Sequence, residues 1–143
     1  MTEEPTSPDL VELVRRCWEA ATRADLDAFM GFWAPDAVWD FSQMGIGTFE
    51  GLAAIRGLYE DWVGGYEGLE VEPSEILDLG NDVVFAVCTQ TGTPAGSTSR
   101  APVREVWAYT VVFTEGKFAR VVTYGSDTAK ARAAAERLAE ERG

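Results

Sequence analysis

ADLDAFMGFWAPDAVWDF, residues 24–41, is the stretch on which the fold turns. Asp25 stands where a helix N-cap belongs, and Phe29, Phe32 and Trp33 follow at helical spacing. The segment reads as a turn followed by a short second helix, ended by Pro35. The period then drops to two: Ala37, Trp39 and Phe41 alternate with Val38 and Asp40, the pattern of a half-buried strand over residues 37–41. Two orientations are open to Asp40. If Trp39 and Phe41 point into the core, Asp40 faces away, whereas a bulge near Phe41 would turn it inward.

On the N-terminal side, residues 1–8 read as a disordered tail, with Ser7-Pro8 as cap and first-turn proline of helix one. Leu10, Leu13, Val14, Cys17 and Ala21 then form one buried stripe. On the C-terminal side, SQMGIGTFEG (42–51) is a glycine-rich loop with at most one short pairing. A third helix over 51–64 carries Leu52, Ile55, Tyr59 and Trp62, and Gly64-Gly65 stops it. From residue 68 the pattern is sheet. Four strand-like segments begin at Leu69, Asp82, Ala101 and Lys117, with Gly80-Asn81-Asp82 and Thr114-Glu115-Gly116 as hairpin turns. SDTAKARAAAERLAEER (126–142) reads as a capped, alanine-rich surface helix. With neither repeats nor a linker, residues 9–143 form a single α+β domain.

Composition narrows the function. Twenty-four acidic against 12 basic residues give a net charge of −12, which repels nucleic-acid phosphates and anionic membrane surfaces; neither is an expected partner. Histidine is absent, which removes the usual base near neutral pH and the usual zinc and non-haem iron ligands. No metal or cofactor is called for. Cys17 and Cys88 have no metal-ligand or redox spacing and read as reduced, buried thiols. The acidic, polar start is unlike a signal peptide, and no apolar run approaches the ~20 residues that span a bilayer, so the expected location is the cytoplasm. The 16 aromatic residues supply more large apolar surface than a minimal core of this size needs.

ADLDAFMGFWAPDAVWDF, FEGLAAIRGLYEDW (49–62) and FTEGKFARVVTYGSD (113–127) together resemble the SnoaL-like branch of the nuclear-transport-factor-2-like superfamily. Polyketide cyclases, ketosteroid isomerases and limonene-epoxide hydrolases are relatives. The resemblance covers roughly residues 9–132. It implies a cone: a curved mixed or antiparallel sheet wrapped around three N-terminal helices, with a C-terminal helix and an apolar pocket at the open end. It also implies a homodimer through the outer sheet face, which fits DVVFAVC, apolar on both faces.

The catalytic sets of those relatives do not carry over. The isomerase tyrosine falls on Cys17, its base on Phe41 and its oxyanion acid at or near Tyr109. The hydrolase Arg and Asp fall within Cys88-Thr89-Gln90, and its second Asp on Thr123. The cyclase His–Asp pair has no histidine to fill it. The candidates left are Asp40 and Glu105 as acid or base and Tyr109 as donor. Trp39, Phe41, Tyr59, Trp62, Trp107 and Cys17 are candidate wall residues. Glu105 shares a strand face with Trp107 and Tyr109; it either enters the cavity or sits at its rim against Arg104, Arg100 or water.

Two classes of function fit. The first is a cofactor-free enzyme shuttling protons on an apolar carbonyl, polyketide, terpenoid or steroid-like substrate, as an isomerase, cyclase or lyase. The second is a non-catalytic module that binds a small hydrophobic molecule or a partner. The dimer has its own test: sedimentation at micromolar concentration should show twice the monomer mass, and a monomer alone overturns it.

Overall fold

The computed structural model describes residues 9–96 and 101–143. The expected tail, the Ser7-Pro8 cap and Arg100 lie outside them. Helix α1 (Leu10–Thr22) is capped by Asp9, whose carboxylate accepts from the Glu12 amide, and α2 (Leu26–Met30) by Asp25, which accepts from the Ala28 amide.

The helix-to-strand switch comes earlier than the sequence pattern predicts. Helix α2 ends at Met30, and Phe32 lies in the turn that follows, its amide donating to the Phe29 carbonyl at 3.3 Å and its carbonyl accepting from the Phe118 amide at 2.8 Å. Trp33 opens strand β1 (Trp33–Asp40). Pro35 therefore lies inside a strand rather than at a helix end. It is tolerated because the pairing with β6 is irregular between Trp33 and Val38, so no ladder bond needs its missing N–H.

Strand β2 (Thr48–Glu50) is the one short pairing of the glycine loop, and α3 runs Leu52–Gly64. Strands β3 (Tyr66–Gly80), β4 (Val83–Pro94), β5 (Val103–Thr114) and β6 (Lys117–Thr123) follow, then α4 (Thr128–Arg142). The sheet order is β2-β1-β6-β5-β4-β3, parallel only between β1 and β6. The sheet is curved and open. Three register shifts in the β3–β4 ladder bend its long edge, as bulges do. Asn81 and Asp82, like Glu115 and Gly116, have positive φ at both central positions, the requirement of a type I′ hairpin turn.

The concave face holds the main core. Trp33, Trp39, Val84, Cys88, Tyr109, Val111 and Phe118 of the sheet pack against Val14, Cys17 and Trp18 of α1, Phe29 of α2, and Ile55 and Tyr59 of α3. The Thr22 hydroxyl fastens α1 to β3 by accepting from the Val71 amide at 2.8 Å.

The convex face is covered from within the chain. Ala131, Ala135 and Ala139, four residues apart on α4, seat on Val83, Phe85, Val87 and Ala108. The outer face of β4 at Val83, Phe85 and Val87 is thus occupied by the helix predicted to lie on the surface, while Val106 of β5 stays exposed beside it. Small residues let the helix approach closely, and the β3–β4 turn clamps its end: Asn81 donates to the Ala139 carbonyl at 2.6 Å, and Arg142 donates to the Asn81 carbonyl. Among the described residues, no helix is long and apolar enough to cross a membrane. Ala135→Leu should overpack this contact and cost about 1–3 kcal/mol in urea unfolding; an unchanged midpoint would show that α4 is not held there.

Candidate functional site

Between α1, α3 and the concave face lies a cavity of about 130 Å³. Trp18, Trp39, Val71, Cys88, Tyr109 and Thr123, all buried, form its inner part. Phe41, Leu58, Trp62 and Trp107, half-buried, ring the open side, and the buried Gln90 completes the lining. Strand alternation delivers these positions. Cys88 and Gln90 of β4 and Trp107 and Tyr109 of β5 are every second residue on one face, and Trp39 faces them from β1.

The polar atoms of the wall bond to one another. Trp39 Nε1 donates to Thr123 Oγ1 at 3.0 Å, and Trp62 Nε1 donates to Gln90 Oε1 at 2.7 Å. The Tyr109 hydroxyl donates to the Cys88 sulfur. Trp18 and Trp107 Nε1 are buried inside the wall without a hydrogen-bond partner among the described residues. The surface presented to the cavity is almost wholly carbon.

The titratable groups of the wall are protonated at neutral pH. Burial pushes the Cys88 thiol up to about 12, and the Tyr109 hydroxyl only partly opposes it. Burial, together with the neighbouring Cys88 and Cys17, holds the Tyr109 phenol well above its ordinary value. Each can donate a proton or a hydrogen bond; neither can serve as a base.

Of the three catalytic candidates, only Tyr109 lines the cavity. Asp40 points to the convex face. Its carboxylate accepts from the Ser42 amide at 2.7 Å and from Arg120 Nη2 at 2.6 Å, and Tyr124 beside it packs against the α4 cluster. Glu105 is half-buried opposite Gln90 in the β4–β5 register, one step beyond Trp107 on the same face and outside the lining.

Of the candidate wall residues, Trp39, Phe41, Trp62 and Trp107 line the cavity. Tyr59 and Cys17 lie in the core behind it. Tyr59 is stacked on Phe29 at 4.1 Å, and burial drives the Cys17 thiol well above its ordinary value. Sequence reasoning missed Trp18, Leu58, Val71, Cys88, Gln90 and Thr123 as lining residues. Trp18 could have been found, since it stands four residues after the buried Val14 on the same face of α1. Gln90 carried no signal of its own; its role comes from Trp62, 28 residues away in sequence. Among the described residues, no group of three or more His, Cys, Asp or Glu is placed to hold a metal ion.

The family model for the SnoaL-like domain matches residues 14–121, most of the chain, including all of β1 to β5 and β6 as far as Val121. The protein belongs to the SnoaL-like domain family. No curated protein sequence matches it. Solved structures share the fold at low identity. One is the epoxide hydrolase/cyclase-like enzyme SalBIII of pyran ring formation in salinomycin, with TM-score 0.71 and 21% identity, covering 83% of this chain and 92% of that one. An NTF2-like protein from Burkholderia pseudomallei superposes with TM-score 0.70 at 20% identity, covering 87% and 95%. A ketosteroid isomerase-like fold from Catenulispora acidiphila, solved in complex with trimethylamine, has TM-score 0.69 and 18% identity, covering 92% and 95%.

In this SnoaL-like domain Asp40 is a fastener. Burial raises its pKa, but the hydrogen bonds from Ser42 and the charge and hydrogen bond of Arg120 outweigh burial and hold the carboxyl below the usual aspartate value. Depressed in the folded state, the group contributes stability that is complete above its unfolded value of about 3.9 and is lost as pH falls through the lower folded value. Asp40→Asn should cost about 1–2 kcal/mol at pH 7. In urea unfolding across pH 2–7 the gap to the wild type should close in acid; a gap that persists unchanged at the acid end would exclude this role.

Proposed function

We propose that this SnoaL-like domain binds a small molecule through a compact, carbon-surfaced group that enters the aromatic cavity. One observation carries the reading: the cavity is preformed and walled by rings, while the wall's oxygens are engaged by the Trp39 and Trp62 indole N–H groups and by the Cys88 sulfur. Nothing on that surface would repay the lost water of a strongly polar group.

Size limits the buried part. A space of about 130 Å³ lies well below the roughly 300–1,000 Å³ of sites that engulf drug-sized ligands. It compares with the ~150 Å³ engineered cavity that takes benzene. A steroid or extended polyketide could place one ring inside, with the remainder in the mouth between Phe41 and Trp107. The trimethylamine of the Catenulispora neighbour is of the size this space accepts.

The wall supports binding better than proton shuttling. Removing a proton from carbon needs a base near the substrate, and Asp40 is committed to Arg120 and Ser42 on the other face of the sheet. A second reading, catalysis with Tyr109 as proton donor, is favoured by its place in the lining.

The test is a thermal-shift titration with toluene. At 100 times its dissociation constant a ligand stabilises the fold by about 2.7 kcal/mol, on the order of 10 °C for a chain of this size. Trp62→Ala should weaken toluene binding about tenfold or more, and Tyr109→Phe by no more than about twofold. No shift with toluene or with other single-ring hydrocarbons would sink the binding reading. Turnover of any bound substrate that disappears in Tyr109→Phe, with affinity intact, would replace it by the catalytic one.

A further inference from the structure

The cavity walls have a shape and a charge setting that a neutral hydrocarbon pocket does not need. Six of the eleven lining residues are aromatic: Trp18, Trp39, Phe41, Trp62, Trp107 and Tyr109. The Trp62 ring stands nearly perpendicular to two others, at 82° to Trp18 and 89° to Trp39, with centroids 6.3 Å away in each case. Trp18 and Trp39 are themselves tilted by 49°. A flat aromatic ligand is best held between parallel rings. Rings set at large angles instead turn toward a rounded group from several sides, the arrangement of an aromatic cage.

Resting on the proposal that this cavity binds ligand, we infer that its preferred occupant is a quaternary ammonium group, held by cation–π attraction to Trp18, Trp39, Trp62 and Trp107.

Three further observations lead to this class of ligand. The chain carries a net charge of −12, and no Lys or Arg lines the cavity, so the field of the protein draws cations and repels anions. The side-chain oxygens of Gln90, Thr123 and Tyr109 already hold hydrogen bonds, which leaves a poor site for an ammonium with several N–H donors. A quaternary nitrogen has no N–H; its charge is spread over methyl groups that match a carbon-surfaced wall. A trimethylammonium head is also compact enough for about 130 Å³.

The environment supplies negative charge without placing it in the wall. Glu105 is half-buried, one step beyond Trp107 on the cavity face of β5, beside the open side. Its carboxylate adds to the negative field around the cavity without lining it, and a substituent on the nitrogen can leave through the open side. The unpaired Trp18 and Trp107 nitrogens are buried within the wall and do not meet the cavity surface. Donors aimed at the ligand would have favoured an anion or a carbonyl.

The decisive comparison is between choline and its carbon isostere, 3,3-dimethylbutan-1-ol, titrated against the full chain by tryptophan fluorescence at low salt. The two have the same shape, so the ratio of their affinities isolates the charge. Choline should bind about 10- to 30-fold more tightly, and the ratio should fall as ionic strength rises. Trp62→Leu, which keeps a carbon surface but removes one π face, should narrow the ratio. Equal affinities, or tighter binding of the alcohol, would overturn the cation and leave the apolar pocket standing. If neither binds while toluene does, the cation inference again fails and the pocket reading survives. If toluene also fails to bind, both fall.

Discussion

Trp39 is the residue on which the two halves of this structure depend. Its backbone lies between Phe49 of β2 and Val121 of β6, at the one parallel junction of the sheet. Its indole N–H is buried and donates to Thr123 on β6, 84 residues away in sequence. Its ring meets Trp18, Phe29, Trp33, Phe41 and Trp62, and so joins α1, α2 and α3 to the sheet. A buried indole without an acceptor would cost free energy, so the hydrogen bond to Thr123 also selects the β1–β6 register. That register places Trp39 on the concave face and Asp40 on the convex face.

The division of polar from apolar follows from that placement. On the convex side Asp40 and Arg120 bond across neighbouring strands and hold the turn at Ser42, next to Phe41 at the cavity mouth. On the concave side the wall keeps its hydrogen bonds to itself and shows its rings to the cavity. The fold is the one shared with cyclase-like and isomerase-like structures, yet the protonatable groups that line the cavity are a tyrosine and a thiol that both keep their protons. One scaffold can serve different ends because the chemistry resides in the few side chains its cavity presents.

Much of the fold was legible. The caps at Asp25 and Asp127, the turns at Asn81-Asp82 and Glu115-Gly116, and the strand-like segments of β4 and β5 are local signals, and each sits where the sequence predicts it. The errors lie where tertiary pairing overrode local pattern. Phe32 and Trp33 continue a helical spacing, but the Phe32 carbonyl is taken by Phe118, which no local rule foretells. The alanines of α4 look like a solvated face by composition; they are buried because β4 offers Val83, Phe85 and Val87 to a helix able to come close.

For the site, the sequence by itself determined the materials: an acidic chain without histidine, rich in tryptophan, with Trp107 and Tyr109 sharing one strand face. Periodicity put Trp39 and Asp40 on opposite sides unless a bulge near Phe41 intervened, and left both orientations open. Which side would be a cavity, and which of the acids would reach it, was decided only by tertiary structure. Strand alternation specifies two faces but not their surroundings, and those come from α1 and α3 on the concave face and α4 on the convex one. Gln90 shows the same limit. Its place in the wall depends on Trp62 arriving from another element, and contacts between distant segments leave no mark on either segment alone.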